Sequence, residues 1–275
     1  MQAEELLRAG QLEDALAALE NQVRADPANA KLRVFLFQLL SVMGDWQRAL
    51  TQLNVAAELD AMNLLMAQVC RSALVCEALR ADIFSGKRSP LVFGQPDEWV
   101  GLLVQANQLI AEGKYEASQW LREKAFDAAA ATAGWVDDHR FEWIADADSR
   151  LGPVLEAIID GKYYWVPFTA IEQVQLDTPT DLRDVVWLPA HFTWVNGGEA
   201  MGLIPTRYPG SEASPDNAVR LARKTEWTEK PGQVYLGLGQ RMFATDADEF
   251  SLLQVRQLKL DHLQANQQGG ETNNG

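Results

Sequence analysis

The sequence predicts an α+β fold, in which a stack of short helical hairpins precedes a small, mostly antiparallel β domain. Three observations predict it. A motif recurs at a fixed offset within the first 84 residues, and the tryptophan and proline content rises beyond residue 135. In that second stretch, runs of aromatic and β-branched residues alternate with turn dipeptides.

The recurring motif is Gly10-Gln11-Leu12-Glu13-Asp14-Ala15-Leu16, which returns as Gly44-Asp45-Trp46-Gln47-Arg48-Ala49-Leu50, 34 positions later. The same offset carries Leu19 onto Leu53, Asp26 onto Asp60 and Asn29 onto Asn63. A period of 34 with this pattern is that of the tetratricopeptide repeat, a helix–turn–helix unit. Glycine suits the turn between helices, and a small alanine lets the two helices cross closely. Asp26-Pro27 closes the first unit, because proline opens a helix but cannot sit inside one. Only Met1–Ala9 precede Gly10, so the first helix of the first unit is truncated.

Leu64–Phe84 then reads as a long apolar helix with Leu65, Val69, Leu74, Val75 and Leu79 available for stacking. Gly86-Lys87-Arg88-Ser89-Pro90 is a loop, and Asp97 is placed to cap a helix running to Glu112. A third, degenerate unit begins at Gly113-Lys114-Tyr115-Glu116-Ala117, one residue short between its glycine and its alanine. Its helix carries Trp120, Leu121, Ala125 and Phe126. Residues 1–135 are therefore expected to form the helical repeat domain.

Residues 136–260 are expected to form the β domain, entered by a last helix over Asp148–Asp160 that stops at Gly161. Strands are predicted at Tyr163–Val166, Val185–Leu188, Phe192–Val195 and Met201–Ile204, the last two joined as a hairpin through Asn196-Gly197-Gly198. Pro205–Pro215 reads as a loop. Further strands fall at Val219–Trp227, Val234–Phe243 and Leu252–Leu260, with Pro231-Gly232 as a turn. The tail, residues 261–275, has almost no apolar content and is expected to be flexible.

Composition narrows the function. The 275 residues carry 38 acidic and 24 basic side chains, a net charge of −14, which argues against a free-standing nucleic-acid binder. No uninterrupted run of about 18 apolar residues occurs and the first residues show no secretory pattern, so a cytoplasmic chain is expected. Cys70 and Cys76, six apart on a helix, point about 240° away from one another and read as buried thiols.

No catalytic, cofactor or metal motif is legible. His139, His191 and His262 stand at no metal-ligand spacing. Glu142, Asp146 and Asp148 could do acid–base work or hold a cation, but the run lacks further oxygen donors and reads as a solvated helix face. Asp246-Ala247-Asp248-Glu249 reads as a charged turn, and Gly237-Leu238-Gly239 has Met242 where a phosphate loop needs its third glycine. An enzyme hidden in the β domain would have to use Glu142, Asp146, Asp148 or His191.

Binding is the stronger expectation, because adjacent first helices of a repeat stack line a concave groove. Here the groove candidates are Lys31, Val34, Gln38, Ser41 and Val42. One lysine in a neutral and apolar lining suits an amphipathic helix better than a clamp for a terminal carboxylate. The segment Glu4-Glu5-Leu6-Leu7, with Leu12 and Leu16, is itself amphipathic, so Leu6 and Leu7 are also contact candidates; Leu12 and Leu16 read equally as repeat core.

Taken over residues 1 to about 260, the chain resembles the ImpE/TagJ family, accessory proteins of bacterial type VI secretion. The resemblance rests on the repeats at 10–29 and 44–63, on the run from Phe141-Glu142-Trp143 through Leu151-Gly152-Pro153, and on Gly161-Lys162-Tyr163-Tyr164-Trp165-Val166-Pro167-Phe168. It implies a non-enzymatic cytoplasmic adaptor for the small subunit of the contractile sheath and for a ClpV-type AAA+ ATPase, to which the N-terminal segment is an alternative ligand. A peptide-binding adaptor unrelated to secretion has the same front half.

Overall fold

The computed structural model describes residues 2–95 and 97–262. Two antiparallel hairpins open the chain: α1 (Gln2–Arg8) with α2 (Leu12–Ala25), and α3 (Ala30–Val42) with α4 (Trp46–Leu59). Gly10 and Gly44 take φ of +78° and +75°, the left-handed conformation that the turn between the paired helices needs. Ala15, Leu19, Ala49 and Leu53, matched by the 34-residue offset, are all fully buried. Asn29 caps α3 by accepting from Leu32 N, and Asp45 caps α4 by accepting from Arg48 N. Among the described residues α1 has seven.

A short 3₁₀ turn (Ala61–Asn63) leads into α5 (Leu64–Phe84). With that turn, α5 is long and apolar enough by length and composition alone to cross a membrane. It nevertheless buries Glu77 and Arg80, and it packs between α4 and the sheet. The two-residue strand β1 (Leu91–Val92) follows, then α6 (Glu98–Ala111) and α7 (Tyr115–Ala128) as the third hairpin. Asp97 stands at the start of α6, but its carboxylate accepts from the Trp99 indole at 3.2 Å instead of from the helix backbone.

The second half supplies β2 (Gly134–Val136), β3 (His139–Phe141), β4 (Ile144–Asp146), β5 (Val154–Ile159), β6 (Lys162–Pro167), β7 (Ile171–Leu176), β8 (Trp187–Trp194) and β9 (Glu199–Pro205). After them come α8 (Asn217–Arg220), β10 (Thr225–Lys230), β11 (Val234–Gly239), β12 (Met242–Thr245), β13 (Glu249–Ser251) and β14 (Gln257–Leu260). A nine-stranded sheet runs β1-β6-β5-β9-β8-β7-β14-β2-β3, antiparallel at every pairing except β1 with β6. Small sheets of β13-β12-β4 and β10-β11 complete it.

Several expectations are corrected. No helix covers 148–160; Val154–Ile159 is the strand β5, every residue of it buried. Val154 and Ile158 pack towards the helices and Leu155, Ala157 and Ile159 into a second core on the other face. A strand covered on both faces is apolar throughout, which is why it read as the end of a buried helix. Asp160 and Gly161, with φ of +49° and +74°, make the two-residue hairpin turn to β6. The strands predicted at 185–188 and 192–195 are one continuous β8 that carries Pro189 within it, and Val185 closes a 3₁₀ helix (Leu182–Val185).

Val219 belongs to α8, which Asp216 caps by accepting from Ala218 N at 2.7 Å, so the strand there begins only at Thr225. The run 234–243 divides between two sheets because Arg241 turns its guanidinium inward. Of 252–260 only Gln257–Leu260 is a strand, since Leu252 and Val255 turn into the second core. Residues 263–275, which hold most of the expected flexible tail, lie outside the described residues.

Candidate partner-binding surfaces

The concave side of α3 is filled by the chain's own second half. Gln38, Ser41 and Val42 are buried, Val34 is half-buried, and of the five groove candidates only Lys31 is exposed. The 3₁₀ helix 182–185 packs on α3, with Gln38 donating to Asp181 at 3.5 Å. Arg207 donates to the carbonyls of Val42 (2.7 Å) and Ser41 (3.4 Å), so its guanidinium caps the last turn of α3. Burial lowers its pKa to about 10, against the pull of Glu212 and Glu77. Arg223 does the same for α1 through the carbonyls of Leu7 and Arg8. The picture of a partner helix seated on Val34, Gln38 and Val42 is therefore corrected: the second half of the chain already meets Gln38 and Val42, which leaves Val34 half-buried beside them.

The carboxylates that suggested acid–base chemistry are not a solvated helix face. Asp146 ends β4, Asp148 follows it, and both are buried; Glu142 is exposed. Asp148 holds Arg150 in a two-point pair at 2.8 and 2.6 Å and also accepts from Gly237 N at 2.8 Å. Asp146 accepts from Tyr208 OH at 3.1 Å and pairs with Arg241. Arg241 bridges onward to Glu156, at the centre of β5, and donates Nε to the carbonyl of Pro205. Glu156 also takes Arg80 of α5 at 2.5 Å and Tyr163 OH at 2.5 Å. Glu77, 3.6 Å from Arg80, accepts from the Trp187 indole at 2.8 Å.

This network joins the helices to the sheet. Burial alone would raise the Glu156 carboxyl, yet the guanidinium groups of Arg80 and Arg241 and the bonds from Arg80 and Tyr163 hold it down at about 2. At Asp146 burial wins over Arg241, and Asp148 adds to it, so its pKa rises to about 6. Every acceptor is taken by a neighbouring donor and enclosed, which suits a structural joint and leaves no approach for a substrate.

His191 lies exposed on β8, in a shallow depression of about 280 Å³ shared with Gln173, Gln175, Glu199 and Met201. His139 stands beside the Phe250 ring at 5.4 Å, and His262 meets the carbonyl of Ile171. Among the described residues no group of His, Cys, Asp and Glu could hold a metal ion. Cys70 and Cys76 are unbridged, and burial pushes both thiols up to about 11. Gly237-Leu238-Gly239 lies within β11, and Asp246 of the charged turn accepts from the backbone of Glu142.

Two open surfaces of the helical half bear on partner binding. Leu6 lines a depression of about 580 Å³ between α1 and α2, floored by Ala17, Ala18 and Ala25 and edged by Asp14, Asn21 and Gln22. Leu7 is half-buried against the helical core. The second surface is the outer side of α5, where large apolar side chains meet solvent.

A curated relative from Pseudomonas aeruginosa, described as a type VI secretion system accessory component TagJ, is 52% identical over 261 residues, spanning 95% of this chain and 92% of the relative. The chain belongs to the ImpE/TagJ family. The family profile described as ImpE protein matches residues 138–259, and a tetratricopeptide repeat profile matches residues 6–70. The ImpE match therefore contains Asp146, Glu156, Arg207 and Arg241, the sheet side of the joint, while the repeat match contains the α3 turn that Arg207 caps. The crystal structure of protein VPA1032 from Vibrio parahaemolyticus superposes with a TM-score of 0.85 at 28% identity, covering 96% of this chain and 99% of that one. The arrangement of helical stack and sheet is thus common to that protein and this member of the ImpE/TagJ family.

Proposed function

We propose that the chain is a cytoplasmic accessory component of a type VI secretion system that acts by holding protein partners, namely the small sheath subunit, a ClpV-type AAA+ ATPase, or both. Its kinship with the TagJ relative supports the system, and the helical repeats support the mode of action. The observation that carries a non-catalytic reading is the enclosure of Asp146, Asp148 and Glu156 in arginine pairs. The residues best suited to acid–base work are spent on buried ion pairs, and Glu156 among them ties the sheet to α5 through Arg80. With Gln38 and Val42 covered, partner contacts fall to the outer surfaces of the helices, where Leu6, Leu7 and Lys31 remain candidates.

Titration calorimetry of the purified chain against the small sheath subunit, and separately against the N-terminal domain of the ATPase, tests this. Binding of either with a dissociation constant of about 10 μM or tighter is expected, roughly −7 kcal/mol. Absence of heat and of co-elution with both overturns the reading.

A further inference from the structure

A helix at the surface of a protein ordinarily turns a polar face outward, because nothing there buries it. α5 does not. One side of it, with Ala67, Cys70, Leu74 and Ile83, is packed inside the protein. The other side carries Leu64, Leu65, Val69 and Val75, and Leu59 and Met62 extend it across the preceding turn. Met62 is 87% exposed, Leu65 75% and Val75 68%, so these side chains stand clear of the surface instead of lying along it. Met62, Leu65 and Val69 follow the i, i+3, i+7 spacing of a helix–helix seam. Leu64 to Val69 runs about 7 Å, and Val75 stands about 16 Å from Leu64, past Gln68, Arg71 and Ser72. Large apolar side chains exposed together in this way mark an interface.

The charges around the strip say what it fits. Glu58 and Asp60 are exposed at its beginning, and neither has an ion-pair partner among the described residues. No basic residue occurs between Glu58 and Cys70. Beside Ser72 the β5–β6 turn adds Asp160 and Lys162, one charge of each sign. Over residues 59–69 the strip is therefore mostly apolar, with Gln68 exposed within it, and acidic at its beginning; beyond it Arg71 donates to Asn54 at 2.7 Å. A second copy would set two chains of net charge −14 face to face, which opposes self-pairing. We propose that this face docks an amphipathic helix from a protein partner, its apolar stripe on Leu65 and Val69 and its lysine or arginine flank at Glu58 and Asp60. The proposal rests on the partner-binding reading above and adds the place and the chemistry of the contact.

The test uses the whole chain with two sets of changes at exposed positions. Leu65→Glu with Val69→Glu destroys the stripe; Glu58→Lys with Asp60→Asn removes the acidic end while keeping an oxygen for the cap that Asp60 makes on Met62 N. Both are titrated with the purified small sheath subunit and with the ATPase N-terminal domain, after circular dichroism and urea midpoints confirm unchanged folding. Whichever partner the unaltered chain takes, the first pair should weaken it by about 100-fold. The second should weaken it by about 10-fold and flatten its salt dependence. Unchanged affinity in the first pair overturns the docking face while leaving the partner-binding reading intact. Unchanged affinity in the second pair alone overturns the basic flank. A sedimentation profile showing a dimer that Leu65→Glu with Val69→Glu converts to monomer makes a second copy the occupant and also overturns it. If the unaltered chain binds neither partner, this face and the functional reading fall together.

Discussion

Replacing Glu156 by Gln should cost about 3 kcal/mol of folding stability at neutral pH, although the two side chains have nearly the same shape. Glu156 is fully buried and is the shared partner of Arg80 and Arg241, with Tyr163 OH on the same carboxylate. Its pKa, held at about 2 against an ordinary 4.5, corresponds to about 3 kcal/mol at about 1.4 kcal/mol per pH unit. The same size follows from removing one partner of a buried ion pair, about 3–5 kcal/mol, because two guanidinium groups are left with too little negative charge. The assay is urea unfolding at pH 7, followed by tryptophan fluorescence and far-ultraviolet circular dichroism. Trp165 and Trp187 lie in the joint and report on it directly. Both probes should move together, since the helices and the sheet share one core. The melting temperature should fall by about 6–12 °C. Because the folded-state pKa is the lower one, this stabilisation is present above pH 4.5 and fades as the pH drops towards 2, so the gap between the two proteins should narrow there. A Glu156→Gln chain within 1 kcal/mol of the unaltered one would refute the reasoning.

Asp146 behaves in the opposite sense. Its folded-state value of about 6 lies above the 3.8 of an exposed aspartate, so the folded protein takes up this proton first. The stability of the unaltered chain relative to Asp146→Asn should therefore rise as the pH falls from 6 to 4, and a difference that is flat or falling over that interval contradicts the burial of this carboxyl. Val42→Lys should destabilise the fold by about 3 kcal/mol, because the site is closed by Arg207 and the 182–185 turn, whereas Lys31→Ala should change it by less than about 0.5 kcal/mol; equal urea midpoints would mean that the α3 face is open. Cys70 and Cys76, both raised to about 11 by burial, should resist a thiol reagent at pH 8 in the native chain and both react in denaturant. Rapid native labelling at either position would show that α5 opens.

The repeats were legible because their signals are local. A glycine at the turn and an alanine at the crossing act on neighbours within one hairpin, so an offset of 34 suffices to place four helices. The hairpin at Asn196-Gly197-Gly198 was legible for the same reason. β5 was not, because Val-Leu-Glu-Ala-Ile-Ile is apolar on both faces and periodicity cannot separate it from a helix end. The usable signal is Asp160-Gly161, a hairpin dipeptide that by itself reads equally as a helix stop. Asp146 and Asp148 read as solvated because, apart from Arg150, the partners that bury them, Tyr208, Gly237 and Arg241, stand 62 to 95 residues further on. A lone Glu156 inside an apolar run, and Glu77 and Arg80 inside an apolar helix, were the visible hints, since charges are rarely buried unless paired. The groove on α3 failed similarly: its lining was read correctly as a helical face, but what covers that face comes from residues 181–207.

The joint between the helices and the sheet also limits how this chain can be dissected. Cutting away the first 84 residues takes Arg80 from Glu156, Glu77 from the Trp187 indole, and the Ser41 and Val42 carbonyls from Arg207. What remains would leave Glu156 with Arg241 and Tyr163 alone, and would open to water the helix-facing side of the sheet, with Val154, Ile158, Trp165 and Trp187. A truncated chain that captures nothing would then have lost its fold before it lost its partner. Mapping by deletion, the usual first step for an adaptor, reports here on folding, whereas single changes on the outward side of α5 or at Leu6 leave the joint whole and report on binding.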